Sequence, residues 1–333
     1  MPRVTVIIPS YNHARFLSEC LDGVRKQTFE DWEILLIDDG SKDDSVEIAR
    51  AAAVEESRLR VFVNEQNLGT YGTQQRGLDL SDSEFVAILN SDDLWAPDKL
   101  RSQVEALEHQ PNAAFCYVLG WKIDPQGQID TSEDVHLDWP RSGSQEVLPY
   151  LLYENRILAS GVLFRRSGLQ FDTSCRYSGD WVALLNRAQF GPAACVAERL
   201  TYWRIHGKNT SNLSVKQVLE EVRVRESIHH ARDRWFLDRI PRADVARGLG
   251  MNAMNLIALY AFCGDARKAR SVAGSVMRDL PDKRLAGKRA MSTLLPIEKL
   301  REHFWGAQVS DWNSIDDELA RLKDPGQKPI AWQ

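Results

Sequence analysis

Along residues 1–120, short continuous apolar runs alternate with segments whose apolar positions recur three and four residues apart. Residues 4–8 (VTVII) form the first run, and Leu17, Cys20, Leu21 and Val24 follow at i, i+3, i+4 and i+7, which predicts a strand and then a helix. The same alternation predicts a strand over 33–37, a helix containing Val46, Ile48, Ala49 and Ala53, a strand over 59–63, a short helix over 72–80 and a strand over 85–89. Pro97, suited to a first helical turn, predicts a helix through Leu100, Val104 and Leu107 before a strand over 113–118. Strands that are apolar throughout are buried on both faces. The pattern therefore predicts an α/β fold: a Rossmann-like, mainly parallel sheet with helices on both sides.

The pattern then changes twice. Residues 123–145 turn polar, with Asp124-Pro125-Gln126-Gly127 as a turn and acidic positions from Glu133 to Asp138, which predicts a loop excursion. Beyond Tyr202 only helical periodicity remains: Val218, Val222, Ile228, Ala231 and Trp235 make one stripe, and Ala269, Val272, Ala273, Val276, Met277 and Leu280 another. Gly264-Asp265 ahead of the second stripe reads as a helix stop followed by an N-cap. This pair is similar to a single tetratricopeptide-like hairpin, and one copy without a repeat does not make a solenoid. The expected organisation is an α/β domain over 1–212 followed by an all-helical C-terminal region over 213–333.

Composition excludes several classes. Of 333 residues, 43% are hydrophobic and 27% charged, the balance of a globular chain. The five cysteines (Cys20, Cys116, Cys175, Cys195, Cys263) are scattered and show no Cys-x-x-Cys spacing, which argues against a disulfide framework and a thiolate zinc site. Residues 1–215 carry 21 Lys and Arg against 31 Asp and Glu, whereas residues 216–303 carry 18 against 11. An acidic front half argues against nucleic acid, which demands a basic footprint. The basic helices have two readings, a solvated surface and a peripheral face toward an anionic membrane. The start, MPRVTVIIPSYN, reaches Pro9 too soon for a signal-peptide core, and no apolar run nears the ~18 residues of a membrane span. The expected location is the cytoplasm, peripheral at the inner face of the cell membrane on the second reading.

In sheets of this kind ligands sit beyond the carboxyl ends of the strands. That rule singles out Pro9-Ser10-Tyr11-Asn12, Asp38-Asp39-Gly40-Ser41, residues 64–69 and Asn90-Ser91-Asp92-Asp93. Adjacent carboxylates such as Asp92 and Asp93 repel each other. A turn or helix cap is one explanation of the pair; a hard cation such as Mn²⁺ or Mg²⁺, with phosphate oxygens completing its shell, is the other. Tyr11 has a ring to stack on a base, Asp39 can accept from a base imide or a ribose hydroxyl, and Gly40 permits close backbone approach. Neither Gly-x-x-x-x-Gly-Lys-Ser/Thr nor Gly-x-Gly-x-x-Gly occurs, so a bound diphosphate would depend on a metal rather than on a glycine-rich cradle.

VTVIIPSYN, QTFEDWEILLIDDGSKD, NLGTYGTQQRGL and AILNSDD, in this order and spacing, resemble the nucleotide-binding half of glycosyltransferase family 2, whose members have the GT-A fold. The resemblance covers residues 1–212 and implies a nucleotide-sugar-binding half (1–120) and an acceptor half (121–212). It implies metal-dependent transfer of a sugar, with inversion, from a UDP-type donor to a hydroxyl of a saccharide or lipid-linked saccharide, in surface polysaccharide or lipopolysaccharide building. On the same resemblance Pro9, Tyr11 and Asp39 line the base pocket, Asp92 contacts the ribose, and Asp93 holds the metal on the donor diphosphate.

Arg176-Tyr177-Ser178-Gly179-Asp180-Trp181 resembles the segment whose Asp is the general base, a role the reaction needs because the acceptor hydroxyl loses its proton as it attacks. On local sequence alone Asp180 reads equally as the N-cap of its own helix. Tyr202-Trp203-Arg204-Ile205-His206-Gly207-Lys208-Asn209-Thr210-Ser211 resembles the family's Tyr-Arg-x-His-x-x-Asn-x-Ser segment, in which the His approaches the metal or the diphosphate, and Arg204 and Lys208 stand near the leaving charge. Three departures matter. Gly179 replaces a usual Glu, Asn90 replaces a usual third Asp, and Gln74-Gln75-Arg76-Gly77 replace the usual Ala-Arg-Asn-x-Gly, which puts Arg76, the candidate partner of the diphosphate, off register. The Gly179 departure keeps a second reading open, a non-catalytic nucleotide-binding protein on the same fold.

Overall fold

The continuous apolar runs are the strands of one sheet, because each can bury both faces only in its interior. The computed structural model describes residues 1–207, 214–306, 308–309, 311–322 and 329–333. They form two units, Met1–Val147 with Arg156–Asn209 and Leu148–Asn155 with Thr210–Gln333. In chain order the first elements are β1 (Val4–Ser10), α1 (Ala14–Arg25), β2 (Trp32–Asp38), α2 (Ser45–Glu55), β3 (Leu59–Val63), α3 (Gly69–Asp79), β4 (Phe85–Ile88), β5 (Leu94–Trp95) and α4 (Lys99–His109). They are followed by β6 (Phe115–Ile123), β7 (Ile129–Asp130), β8 (Gly143–Gln145), the short α5 (Leu148–Leu151) of the second unit, β9 (Val162–Arg165), α6 (Gly179–Ala188) and β10 (Ala193–Arg204).

The ten strands are ordered β3-β2-β1-β4-β9-β6-β10-β5, with β7 beside β6 and β8 beside β10. Strands β3, β2, β1 and β4 run parallel. Beyond them β9 lies antiparallel to both β4 and β6, β10 runs parallel to β6, and β5 pairs antiparallel with β10. The sheet is parallel in one half and mixed in the other. Ser10 faces Asp38 and Ile7 faces Ile88 across the ladder, so the carboxyl ends of β1, β2 and β4 lie close to level. Val4, Val6 and Ile8, with Ile34, Leu36 and Ala87, point to one face at the period of two and bury against Leu17, Leu21, Leu100 and Val104 of α1 and α4. Each such side chain contributes roughly 1.5–3 kcal/mol by leaving water.

Two helix starts differ from expectation. Helix α4 begins at Lys99, not at Pro97, because the two-residue β5, too short to leave a pattern, occupies the chain up to Trp95. Helix α3 begins at Gly69, ahead of the expected 72, because the Asp39 carboxylate accepts from the Leu68 and Gly69 N–H groups and caps the helix from thirty residues away.

The second unit contains no strand among its described residues. Its helices are α5, α7 (Val215–His230), α8 (Arg242–Phe262), α9 (Ala266–Ser271), α10 (Ala273–Asp279), α11 (Lys283–Ser292), α12 (Ile297–Trp305) and α13 (Trp312–Leu322). Residues Leu148–Asn155 join it because the Tyr153 carbonyl accepts from Arg225 of α7 and Asn255 of α8. The expected stripes supply its core through Val218, Val222, Val272 and Val276, although α7 stops at His230 and Trp235 is buried from a separate turn, Arg232–Trp235. Gly264, at φ +73°, ends α8, and the Asp265 side chain accepts from Lys268 N–H as the N-cap of α9. Among the described residues no helix is long and apolar enough to cross a membrane.

Candidate active site

The level strand ends of the parallel half gather polar groups that spend most of their hydrogen bonds on one another. After β2, the two acids divide the work. Asp38 accepts from Gly40 N–H, Ser41 N–H and Ser41 Oγ and holds its own turn. Asp39, buried, accepts from Asn64 Nδ2 (2.7 Å) and Leu68 N–H (2.7 Å) on Oδ1 and from Gly69 N–H (2.8 Å) on Oδ2. A carboxylate oxygen has two lone pairs, so Oδ2 keeps one for a further donor. Pro9 is buried within β1 beside Ile37, and Tyr11, just beyond the strand, is 46% exposed.

After β4 the acids divide again, differently from the sequence expectation. Asp93 is 2% exposed and points inward: Ser160 Oγ lies 2.5 Å from its Oδ2, Arg204 N–H donates to its Oδ1 (3.0 Å), and Asn90 Nδ2 donates to Oδ2 (3.4 Å). Burial, then the neighbouring Asp92 charge, raises the pKa of its carboxyl. Asn90, where an acid is usual, supplies a donor to Asp93; an aspartate there would add a third charge. Asp92 is the acid that meets His206, with Oδ2 3.0 Å from Nε2.

His13, which no sequence pattern singled out, completes this group. One ligand atom from each of His13, Asp92 and His206 lies within 4.8 Å of the others. The His13 ring is fixed by Nδ1 against Ser91 Oγ (2.7 Å) and by an edge contact with the His206 ring at 5.7 Å, while Phe16 packs 5.2 Å from His206. Burial lowers the His13 pKa, which keeps the imidazole neutral and its lone pair available. Two imidazoles and a carboxylate fit a divalent transition ion such as Mn²⁺ better than Mg²⁺, which prefers an all-oxygen shell. The sequence did hold one signal for His13: it follows the strand-end segment Pro9-Ser10-Tyr11-Asn12 by one residue.

Asp180 lies in the first turn of α6, and the N-cap is Ser178, not Asp180. Its Oδ1 accepts from Tyr71 Oη at 3.1 Å. Tyr71 belongs to the first turn of α3, which Asp39 caps, so Asp180 is brought to the carboxyl edge of the sheet. The Gly179 departure has a steric reason here: a Cβ at position 179 would stand 2.5 Å from the Tyr71 ring. Gly69 (φ +76°) is fixed by its backbone conformation, which L side chains rarely adopt.

Two arginines, Arg76 and Arg204, are held by protein partners. Arg76 donates to the Val63 carbonyl and to Asn64 Oδ1 at the end of β3. Arg204 is 1% exposed and is committed to the Asp92 and Pro125 carbonyls and to Glu19, because its side chain lies inside the mixed half of the sheet. Lys208 lies outside the described residues.

Residues 5–169 match the model of glycosyl transferase family 2. An uncharacterised glycosyltransferase of Nostoc sp. is 28% identical over 264 residues, covering 74% of this chain and 80% of its own length. A UDP-Glc:alpha-D-GlcNAc-diphosphoundecaprenol beta-1,3-glucosyltransferase of Escherichia coli is 33% identical over 114 residues, 34% of this chain and 44% of the relative. The solved structure of S. aureus TarS 1-349 in complex with UDP-GlcNAc superposes with a TM-score of 0.60 at 15% identity, over 96% of this chain and 89% of that one, which shows a shared fold. With four motifs in register on a GT-A sheet and a family match across them, residues 5–169 belong to glycosyltransferase family 2, and the chain is a glycosyltransferase.

Proposed function

We propose that the chain is a metal-dependent inverting transferase that moves a hexosyl or N-acetylhexosaminyl group from a UDP-type donor to a hydroxyl of a saccharide or lipid-linked saccharide during cell-surface polysaccharide assembly. The observation that carries this reading is the convergence of His13, Asp92 and His206 at the sheet edge that also holds Asp39 and Asp180. When bound there, Mn²⁺ or Mg²⁺ would neutralise the donor diphosphate and make it a better leaving group. Asp92 and His206, joined by His13, take the metal role in this reading, and Asp93 supports them from behind. Tyr11 offers its exposed ring to the base, and Asp39 offers its remaining Oδ2 lone pair to the base imide. Asp180 accepts the acceptor's proton, and its first-turn position on α6 places the resulting neutral carboxyl near backbone N–H groups. The undecaprenol-linked acceptor named for the E. coli relative supports a lipid-linked acceptor, and UDP-sugars in the names of that relative and of the TarS complex support the donor.

A thermal-shift panel of UDP-, GDP- and dTDP-sugars, with and without Mn²⁺, tests base and metal together. UDP-sugars with Mn²⁺ should raise Tm most, and Asp92→Asn and His206→Ala should each remove the Mn²⁺-dependent part. A rise that ignores Mn²⁺ in all three proteins refutes the metal assignment.

A further inference from the structure

The second unit exposes apolar side chains at one place. Met277 (40% exposed), Leu285 (37%), Met291 (65%), Leu294 (63%) and Leu295 (38%) are all of its exposed large apolar residues among those described. The same segment carries Arg278, Lys283, Arg284, Lys288 and Arg289. Its two acids are occupied: Asp279 is buried against Arg232, and Asp282 accepts from the Arg284 and Leu285 N–H groups as the N-cap of α11. Arg284 and Lys288 have no side-chain partner among the described residues and stand exposed. Only Ala286 and Ser292 of α11 are buried, so the helix is attached by a narrow strip. Arg284, Lys288 and Met291, at i, i+4 and i+7, share the outward face. Met291, with Leu294 and Leu295 in the turn that follows, makes an apolar tip beyond the cations.

We propose that α11 and the turn after it dock on the surface of an anionic lipid bilayer. Met291, Leu294 and Leu295 enter the boundary between headgroups and acyl chains, and Arg284 and Lys288 meet lipid phosphates, the arrangement of interfacial helices that lie in the membrane plane. The chemistry favours this occupant over others. Nucleic acid would satisfy the cations and leave the apolar tip in water. A second copy meeting through the same face would set these cations against themselves. The inference goes beyond the proposed transfer reaction, and its test needs no turnover.

Co-sedimentation of the full chain with vesicles decides it. Binding to phosphatidylcholine vesicles containing ~30% phosphatidylglycerol should exceed binding to pure phosphatidylcholine by about tenfold at ~150 mM salt. Met291→Glu/Leu294→Glu should lose binding to both, and Arg284→Glu/Lys288→Glu should lose the preference for the anionic vesicles. All four positions are exposed or on the outer face, and an unchanged circular-dichroism melt checks that the variants fold. Absence of binding to anionic vesicles, or full binding by Met291→Glu/Leu294→Glu, overturns the proposal. A dimer in gel filtration that Met291→Glu/Leu294→Glu dissociates, with no vesicle binding by the wild type, assigns the surface to a second copy instead and also overturns it.

Discussion

The two halves of the sheet handle polar residues in opposite ways. In β3-β2-β1-β4 the polar groups gather at the carboxyl ends, where Asp38, the last residue of β2, holds its own turn and Asp39 and Asn64 tie neighbouring loops together. In β9-β6-β10-β5 polar groups sit inside: Ser160, Arg204 and His136 are each no more than 2% exposed and hold residues distant in sequence. The parallel half supplies acids, and the mixed half decides what each acid does. Arg204 N–H and Ser160 turn Asp93 into a buried support, and His206, two residues after β10, leaves Asp92 facing the site. A pair of identical residues thus acquires two environments from neighbours more than sixty positions away.

The largest effect should separate the halves by role. Asp180→Asn, in the mixed half, keeps the shape of α6 but cannot take a proton, and transfer should fall by about 10²–10⁴ while stabilisation by UDP-sugar and Mn²⁺ persists. Asp39→Asn, in the parallel half, should instead weaken that stabilisation, because the cap of α3 and the base site share one carboxylate. Rate assays and thermal shifts on both variants make the comparison. Transfer by Asp180→Asn at the wild-type rate would remove it from the mechanism.

A second effect tests whether the interior of the mixed half limits stability. His136, fully buried, accepts from Gly120 N–H on Nε2 (2.9 Å). Burial, then the charges of Arg199 and Arg141, lower its pKa from 6.5 to about 4, against the Asp134 charge, which raises it. A depressed pKa means the folded state resists a proton that the unfolded chain takes up. The contribution is intact above pH 6.5 and is lost as pH falls toward 4, by about 2–3 kcal/mol. Urea melts between pH 7 and 4 should show this decline, and His136→Gln, whose Oε1 can accept from the same N–H, should flatten it. An equal decline in both proteins would place the acid sensitivity elsewhere.

The parallel half was legible because its strands and helices alternate locally: residues 59–63 coincide with β3, and the runs at 4–8 and 33–37 lie inside β1 and β2. The mixed half was not, since β5 has two residues, β7 two and β8 three, and β9 inserts between β4 and β6 by pairing that no periodicity records. The candidate residues were legible by position, while their orientation was not. Nothing in AILNSDD distinguishes Asp92 from Asp93, because the distinction is made by Ser160, Arg204 and His206. Arg204 shows the same limit, reading as a free cation and folding into the interior.

The smallest effect concerns one contact between the halves, Tyr71 of α3 with Asp180 of α6. The phenol has one hydrogen and two acceptors at 3.1 Å, Asp180 Oδ1 and the Tyr177 carbonyl. It donates to Asp180 while the carboxylate is charged and would turn to Tyr177 if Asp180, the proposed base, takes the acceptor's proton. Donation to the charged form favours that form. Tyr71→Phe should therefore raise the base's pKa, moving the acid limb of the kcat/KM profile to higher pH by about 0.5–1 unit and costing under about tenfold at neutral pH. Gly179→Ala, whose added Cβ would displace the ring, should reproduce the shift. A role in packing alone would lower the rate equally at every pH. An unmoved limb in Tyr71→Phe, with Asp180→Asn inactive, would leave Asp180 as the base and reduce Tyr71 to the filler of the space that Gly179 leaves.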